Sequence, residues 1–312
     1  MNNLKKHIND FLIFAKEERN LSSHTISAYK SDLEKFYIFL NKKNSIYLKN
    51  INDINIQTIR QFKRFEMDRK EIRPGREKNH ISGKTIAREL ASIKSFFKYL
   101  VQNGILKNNP AIMVKTPKIE KTIPNFIQEK NIDQLMNIPD KNSITGIRDR
   151  AILELFYATG IRLSELVNLN ISSVDDSNNF IKVVGKGNKE RIVPFGEKAK
   201  DAINIYINKR NRSWVGAEHI PLFTSIRGKR ISQRTIQKRL SGYLEKIIGS
   251  KKGASPHILR HSFGTHLLDN DADIRSIQEL LGHSSISSTQ LYTKVNPQKI
   301  KTIYKATHPH AS

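Results

Sequence analysis

The chain has 312 residues, enough for two domains with separate cores, and sets 54 lysines and arginines against 29 acidic residues for a net charge of +25. That excess argues against an ordinary enzyme of small neutral metabolites and for a polyanionic partner, and it is shared: residues 1–110 hold 22 basic and 11 acidic side chains, net +11, leaving +14 for the rest. Cysteine is absent, which excludes disulfides and thiolate zinc sites, and no apolar run reaches the length of a membrane span, so a soluble, cytoplasmic protein without a membrane partner is expected.

Residues 1–105 read as helix throughout. Ile26, Tyr29, Leu33, Phe36, Tyr37 and Leu40 recur at helical spacing behind Ser22 and Ser23, either of which can cap the start. A second stripe, Ile86, Leu90, Ile93, Phe97 and Leu100, stops near Gly104, and weaker stripes at 4–17 and 54–67 complete a four-helix unit. Between the third and fourth helices Arg69, Lys70, Arg73, Arg76 and Lys78 surround Pro74 and Gly75, a basic loop that either faces DNA or is merely solvated. Pro110, Pro117 and Pro124, mixed with Lys and Thr, resist helix and sheet alike. The expected boundaries are therefore a helical domain at 1–109, a linker at 110–125 and a second domain at 126–312.

In the second domain, helices are expected near 127–137 and 147–158, the latter ending before Gly160. Two short strands, 180–184 and 191–193, flank a tight turn at Gly185-Lys186-Gly187-Asn188, and everything after about residue 196 reads as helix. The turn is no nucleotide phosphate loop, which needs four residues between its glycines followed by Lys-Ser/Thr; an ATPase is rejected on that ground.

Single residues leave their roles open. Arg162 stands between two helices, where a guanidinium can reach across a cleft or simply pair with Glu165 on the surface. Lys186 lies between glycines at a hairpin tip, suited either to donating a proton to a departing oxygen or to plain solvation. His257 and Arg260, three apart after Pro256, share a helical face and can meet one phosphate. His257 and His261, with His266 and His283 in the same region, also allow a metal reading, but the zinc-protease pattern needs Glu after the first His and Ile258 stands there. Tyr292 follows His283 by nine residues across a polar stretch. An ordinary phenol titrates near 10, so as a nucleophile it needs a base and an electrophile already neutralised by cations.

Taken together, Arg162, Lys186, His257, Arg260, His283 and Tyr292 make a complete set for metal-free cutting of DNA. Two guanidinium forks can hold the non-bridging oxygens of a pentacoordinate phosphate, Tyr292 can attack, His257 can accept its proton, Lys186 can protonate the leaving oxygen and His283 can hydrogen-bond. No cofactor and no metal are called for.

The order Arg, Lys, His-x-x-Arg, His, Tyr resembles that of the tyrosine recombinase family, and most closely the Xer recombinases. The contexts that carry it are ATGIRLSELVNL, VVGKGNKERIVP, SPHILRHSFGTHLLDND and IQELLGHSSISSTQLYT, with LSSHTISAYKSDLEKFYIFL, KNNPAIMVKTPK and the ending THPHA extending it over nearly the whole chain.

The resemblance implies a mainly α fold with a small antiparallel β-sheet, built as a two-domain clamp: a helical core-binding domain and a catalytic domain. It implies a 3′-phosphotyrosyl intermediate at Tyr292, a homo- or hetero-tetramer on double-stranded DNA at a dif-like site, and a second Xer-type recombinase, or the chain itself, and the septal DNA translocase as partners in resolving chromosome dimers. Gln233 and Arg234, behind a capping Ser232, fall on the helix that enters the major groove in the family, as base readers or as phosphate contacts. A tail helix marked by Ile300, Ile303 and Tyr304 looks too short and too exposed to pack on its own domain and is expected to exchange between protomers. A mobile-element integrase shares the chemistry, though the usual extra N-terminal arm-binding module is not expected because helix periodicity begins near residue 4. A relaxing topoisomerase of type IB shares it too, and a non-catalytic architectural DNA-binding protein would share only the charge.

Overall fold

In the computed structural model the chain forms two compact units, Met1–Thr122 and Ile123–Ser312. The structure describes all residues except 1, 44–49, 72–78, 119–125, 186–188, 211–218, 252, 283–296 and 312; of residues 2, 42, 43, 71, 79 and 297–300 it describes only the backbone.

The first unit is built on four helices: α1 (Asn2–Glu17), α2 (Ser23–Lys43), α3 (Ile56–Asp68) and α4 (Gly83–Gln102). Side-chain oxygens at Ser22, Asn55 and Ser82 accept from the first free amides of α2, α3 and α4. The stripe of α4 is buried as its periodicity requires, and Phe36 packs edge-on against Phe62 and Phe97 at 5.1 and 6.3 Å between ring centres. Buried Asp32 of α2 accepts from Arg88 and Ser92 of α4, which fixes the register of the two helices.

Helix does not run throughout this unit. A short antiparallel ribbon, β1 (Lys70–Glu71) and β2 (Asn79–His80), joins α3 to α4. Arg69 at its base pairs with buried Glu66 and Glu89 at 2.6 and 3.7 Å, so it serves the fold. Arg73, Arg76 and Lys78 lie outside the described residues.

The second unit is organised around α6 (Ile144–Thr159). It follows the short α5 (Ile132–Asn137) and is buried on almost every side, as expected of a helix apolar around its circumference. Its three buried charged side chains are all partnered: Asp149 accepts from Arg148, from Arg239 at 2.6 Å and from the Tyr243 hydroxyl at 2.9 Å, and Glu154 meets the His310 ring at 3.3 Å. Then come α7 (Leu163–Asn168), a three-stranded antiparallel sheet of β3 (Val174–Asp175), β4 (Phe180–Val184) and β5 (Glu190–Pro194), and the helices α8 (Glu197–Lys209), α9 (Gln233–Ile248), α10 (His257–Asp269), α11 (Ile274–Leu281) and α12 (Pro297–Thr307). β4 pairs with β5 in the register Ile181↔Val193, which closes the hairpin at Gly185.

Three expectations are corrected here. The helix near 127–137 is a single 3-10 turn at Glu129–Asn131 followed by α5. The region after residue 196 is not all helix: bridges Asn170↔Pro221 and Thr224↔Arg230 hold an extended connection, where Pro221 supplies no amide and Gly228 turns at φ +75°. The tail, finally, does pack on its own unit. Tyr304, His308 and His310 are buried around Tyr157, with ring centres 4.9 Å from Tyr157 to His308 and 5.0 Å to His310. Rings, more than the short aliphatic stripe, supply the buried area. Among the described residues no helix is long and apolar enough to cross a membrane.

Candidate active site

The centre of the second unit's cleft chemistry is set by two helix ends. Gly160 closes α6 at φ +56° and Gly282 closes α11 at φ +64°, left-handed caps that leave the last carbonyls of each helix without an internal partner. Two arginines take them. Arg260, one turn into α10, donates through Nη1 to the Gly160 carbonyl and through Nη2 to Leu281 at 2.7 Å. Arg162, at the start of α7, donates through Nη2 to the Gly282 carbonyl at 2.7 Å. Helix C-termini carry partial negative charge, so each contact is favourable before any ligand arrives.

Arg162 is held a second time by Glu165, whose carboxylate accepts from its amide at 2.8 Å and from its Nη1 at 2.9 Å. Glu165 also accepts a two-point contact from Arg191 of β5, at 2.8 and 2.9 Å. Burial by itself would raise the Glu165 carboxyl, but the hydrogen bonds from Arg191 and Arg162 outweigh it and hold the group down at about 2. Burial, with Arg162 beside it, pulls Arg260 down to about 10, which leaves it cationic at neutral pH.

His257 is exposed in the first turn of α10, one turn before Arg260 on the same face. His266 is withdrawn into the core: its Nε2 donates to the Ile127 carbonyl at 2.9 Å and its Nδ1 accepts from the Tyr157 hydroxyl at 2.8 Å, so both nitrogens are engaged. Gln233 and Arg234 are exposed in the first turn of α9, which Ser232 caps through the Thr235 amide. Lys186, His283 and Tyr292 lie outside the described residues. Of the described residues next to them in the chain, Gly185, at the hairpin base, lies beside Glu165 and Arg191, and Gly282 beside Arg191.

The structure thus anchors Arg162 and Arg260 at two helix ends, sets His257 exposed one turn before Arg260, and adds Glu165 and Arg191. Glu165 was visible in sequence only as a partner for a surface ion pair; it is buried. Arg191 has no place among the six motif residues, although the alternation of β5 carries a signal: Arg191 shares its strand face with buried Val193, while Ile192 faces out. An arginine on the inward face of a strand needs a carboxylate partner. Chemically, two anchored guanidiniums with N–H groups to spare can cradle the oxygens of a phosphodiester.

Comparison with known proteins agrees with this class. Residues 125–299 match the Phage integrase family and residues 8–104 the phage integrase N-terminal SAM-like domain. The chain is 41% identical to the tyrosine recombinase XerC of Syntrophus aciditrophicus, covering 97% of both chains. It is 37% identical to the tyrosine recombinase XerD of Staphylococcus haemolyticus, over 97% of this chain and 99% of that one. Among solved structures, the XerH site-specific recombinase bound to a difH substrate superposes with a TM-score of 0.64 at 20% identity, covering 93% of this chain and 81% of that one, a likeness of fold. The chain belongs to the phage integrase family and, within it, to the tyrosine recombinases, enzymes of site-specific recombination that break and rejoin DNA through a covalent phosphotyrosine.

Proposed function

We propose that this recombinase resolves chromosome dimers at a dif-like site, with Tyr292 as nucleophile and Arg162, Lys186, His257, Arg260 and His283 around the scissile phosphate. The observation that carries the site is the anchoring of Arg162 and Arg260 on the consecutive carbonyls Gly282 and Leu281. Both cations are fixed before substrate binds, so little reorganisation is needed as charge develops on the non-bridging oxygens.

The Tyr292 oxygen attacks phosphorus while its proton passes to His257. The bond from phosphorus to the 5′ oxygen breaks, and that oxygen takes a proton from Lys186. A 3′-phosphotyrosyl link and a free 5′-hydroxyl result, the link conserves the energy of the phosphodiester, and a second 5′-hydroxyl reverses the step on another strand. Neither a metal nor ATP enters. Full-length similarity to proteins named XerC and XerD supports the chromosomal role over that of a mobile-element integrase. Four protomers act on two sites, with a second Xer-type recombinase or copies of this chain, and the septal DNA translocase is the expected trigger. Gln233 and Arg234 read base edges or phosphates from the start of α9. The net charge of +25 supplies sequence-independent affinity.

The test is to incubate the protein, without added metal or ATP, with a nicked duplex bearing the dif-like sequence of the chromosome that encodes it. A covalent adduct on a denaturing gel, mapped to Tyr292 and lost in Tyr292→Phe with affinity retained, is the expected result. Normal adduct yield from Tyr292→Phe would refute the assignment.

A further inference from the structure

Arg191 is not one of the six residues assigned above, yet it holds the partner of Arg162 and lies against Gly282 and Gly185. Its Nη1 and Nη2 donate to the two oxygens of Glu165 at 2.8 and 2.9 Å, and Glu165 grips Arg162 through side chain and main chain. A Cβ built on Gly282, the residue before His283, would lie 2.9 Å from the Arg191 Cζ and 3.0 Å from its Nε. A Cβ on Gly185, the residue before Lys186, would lie 3.6 Å from Glu165 Oε1 and 3.7 Å from Arg191 Nη1. Arg260 holds the neighbouring carbonyl, Leu281, through its Nη2. The Arg191 side chain is only 19% exposed, so this junction is filled by the guanidinium.

We propose that Arg191 is a positioning residue for strand cleavage: its two-point grip on Glu165 and its contact with Gly282 together set Arg162 and the helix end on which Arg162 and Arg260 are anchored. The inference rests on the functional reading given above. It requires arginine in particular. A planar fork matches both carboxylate oxygens and presents a flat body to a glycine, whereas a lysine ammonium supplies one point of charge and neither surface.

Removal of Arg191 has a signature that general loosening lacks. Glu165 faces Arg162 from α7, Arg191 from β5 and, through space, Arg260 from α10. Without Arg191 the largest influence left on the buried carboxyl is burial, which raises it. Glu165 then takes up a proton at higher pH than in the wild type, and a protonated Glu165 holds Arg162 less firmly.

Adduct formation on the same nicked duplex is measured in single turnover from pH 5.5 to 8.5 for wild type, Arg191→Met, Arg191→Lys and the double variant Arg191→Met with Glu165→Gln, alongside affinity for the duplex. Arg191→Met is expected to cut about tenfold to a hundredfold more slowly at pH 7.5 with near-normal affinity, as for a misplaced catalytic group. Its rate relative to wild type should fall further as pH is lowered, by the protonation just described. Arg191→Lys should restore little, and the double variant should lose the extra acid-side fall. An unchanged rate in Arg191→Met, or a loss equal at every pH and equally present in the double variant, would overturn the inference while wild-type adduct upholds the functional reading. Absence of adduct from the wild type would overturn both.

Discussion

Arg162 and Arg260 hold adjacent carbonyls, Gly282 and Leu281, at the end of one helix, each through its Nη2 at 2.7 Å. The two side chains come from different helices, about a hundred residues apart in sequence, and meet on α11 because its glycine cap frees two acceptors at once. The same helix end begins the segment that leads to His283 and Tyr292. The placement of both cations is therefore set by one piece of backbone.

Arg162→Ala and Arg260→Ala are each expected to slow adduct formation by about a hundredfold or more, the usual loss for a preorganised transition-state donor. Single-turnover cleavage of the nicked duplex, with affinity measured in parallel, reads the effect. A loss confined to affinity would contradict anchoring for catalysis.

Gly282→Ala separates strain from contact. A side chain at φ +64° costs about 1–2 kcal/mol, and this Cβ would also meet the Arg191 guanidinium. Gly249, at φ +73° with open space around it, gives the control. Both alanine variants should melt lower by a few degrees, at about 2–4 °C per kcal/mol for a unit of this size. Only Gly282→Ala should also lose cleavage at a temperature where both are folded.

Stability should fall on mild acidification because of buried histidines. Burial, with His310 beside it, pulls His308 down to about 3, and burial lowers His266 as well. An unfolded histidine titrates near 6.5, so both groups must stay neutral to fold. Their contribution is whole above about pH 6.5 and is lost as pH falls below it; for His308 the loss continues toward about 3, at about 1.4 kcal/mol per pH unit. Urea midpoints at pH 7.5 and 5.5 read this effect, to which Glu165, held at about 2, adds no change of charge. His308→Phe should make the dependence shallower, and an equally steep one would place the proton uptake elsewhere.

Gly196→Ala should expel the tail. The backbone there is extended, so glycine is not needed for its φ; it is needed because an added Cβ would overlap the His310 carbonyl. Faster hydrogen exchange and proteolysis across 297–311, with the rest of the unit unchanged, is the expected outcome. Unchanged protection of the tail would show that His310 does not depend on this seat.

Much of the fold could be read from periodicity. The stripes of α2 and α4 predicted both helices, because side chains at i, i+3 and i+4 must share one face whatever they pack against. The hairpin of β4 and β5 was equally legible, since Gly185-Lys186-Gly187-Asn188 between apolar runs favours a turn. The β1–β2 ribbon, β3 and the extended connection around Pro221 escaped notice because two-residue strands carry no period to detect. The tail was misjudged for a related reason: Tyr304, His308 and His310 are polar by composition but present ring faces, and their burial depends on Tyr157, some 150 residues earlier.

The sequence by itself determined the chemistry on offer: six groups in family order, a strongly basic chain and no cysteine, all properties of residue type and spacing. Tertiary structure alone decided how Arg162 and Arg260 are held. Hydrogen bonds from two guanidiniums to the carbonyls of one helix end, and the fork of Arg191 on a buried Glu165, join residues that only packing brings within 3 Å of one another. Spacing along a chain records what is near in sequence, and these contacts span intervals from 21 to 120 residues.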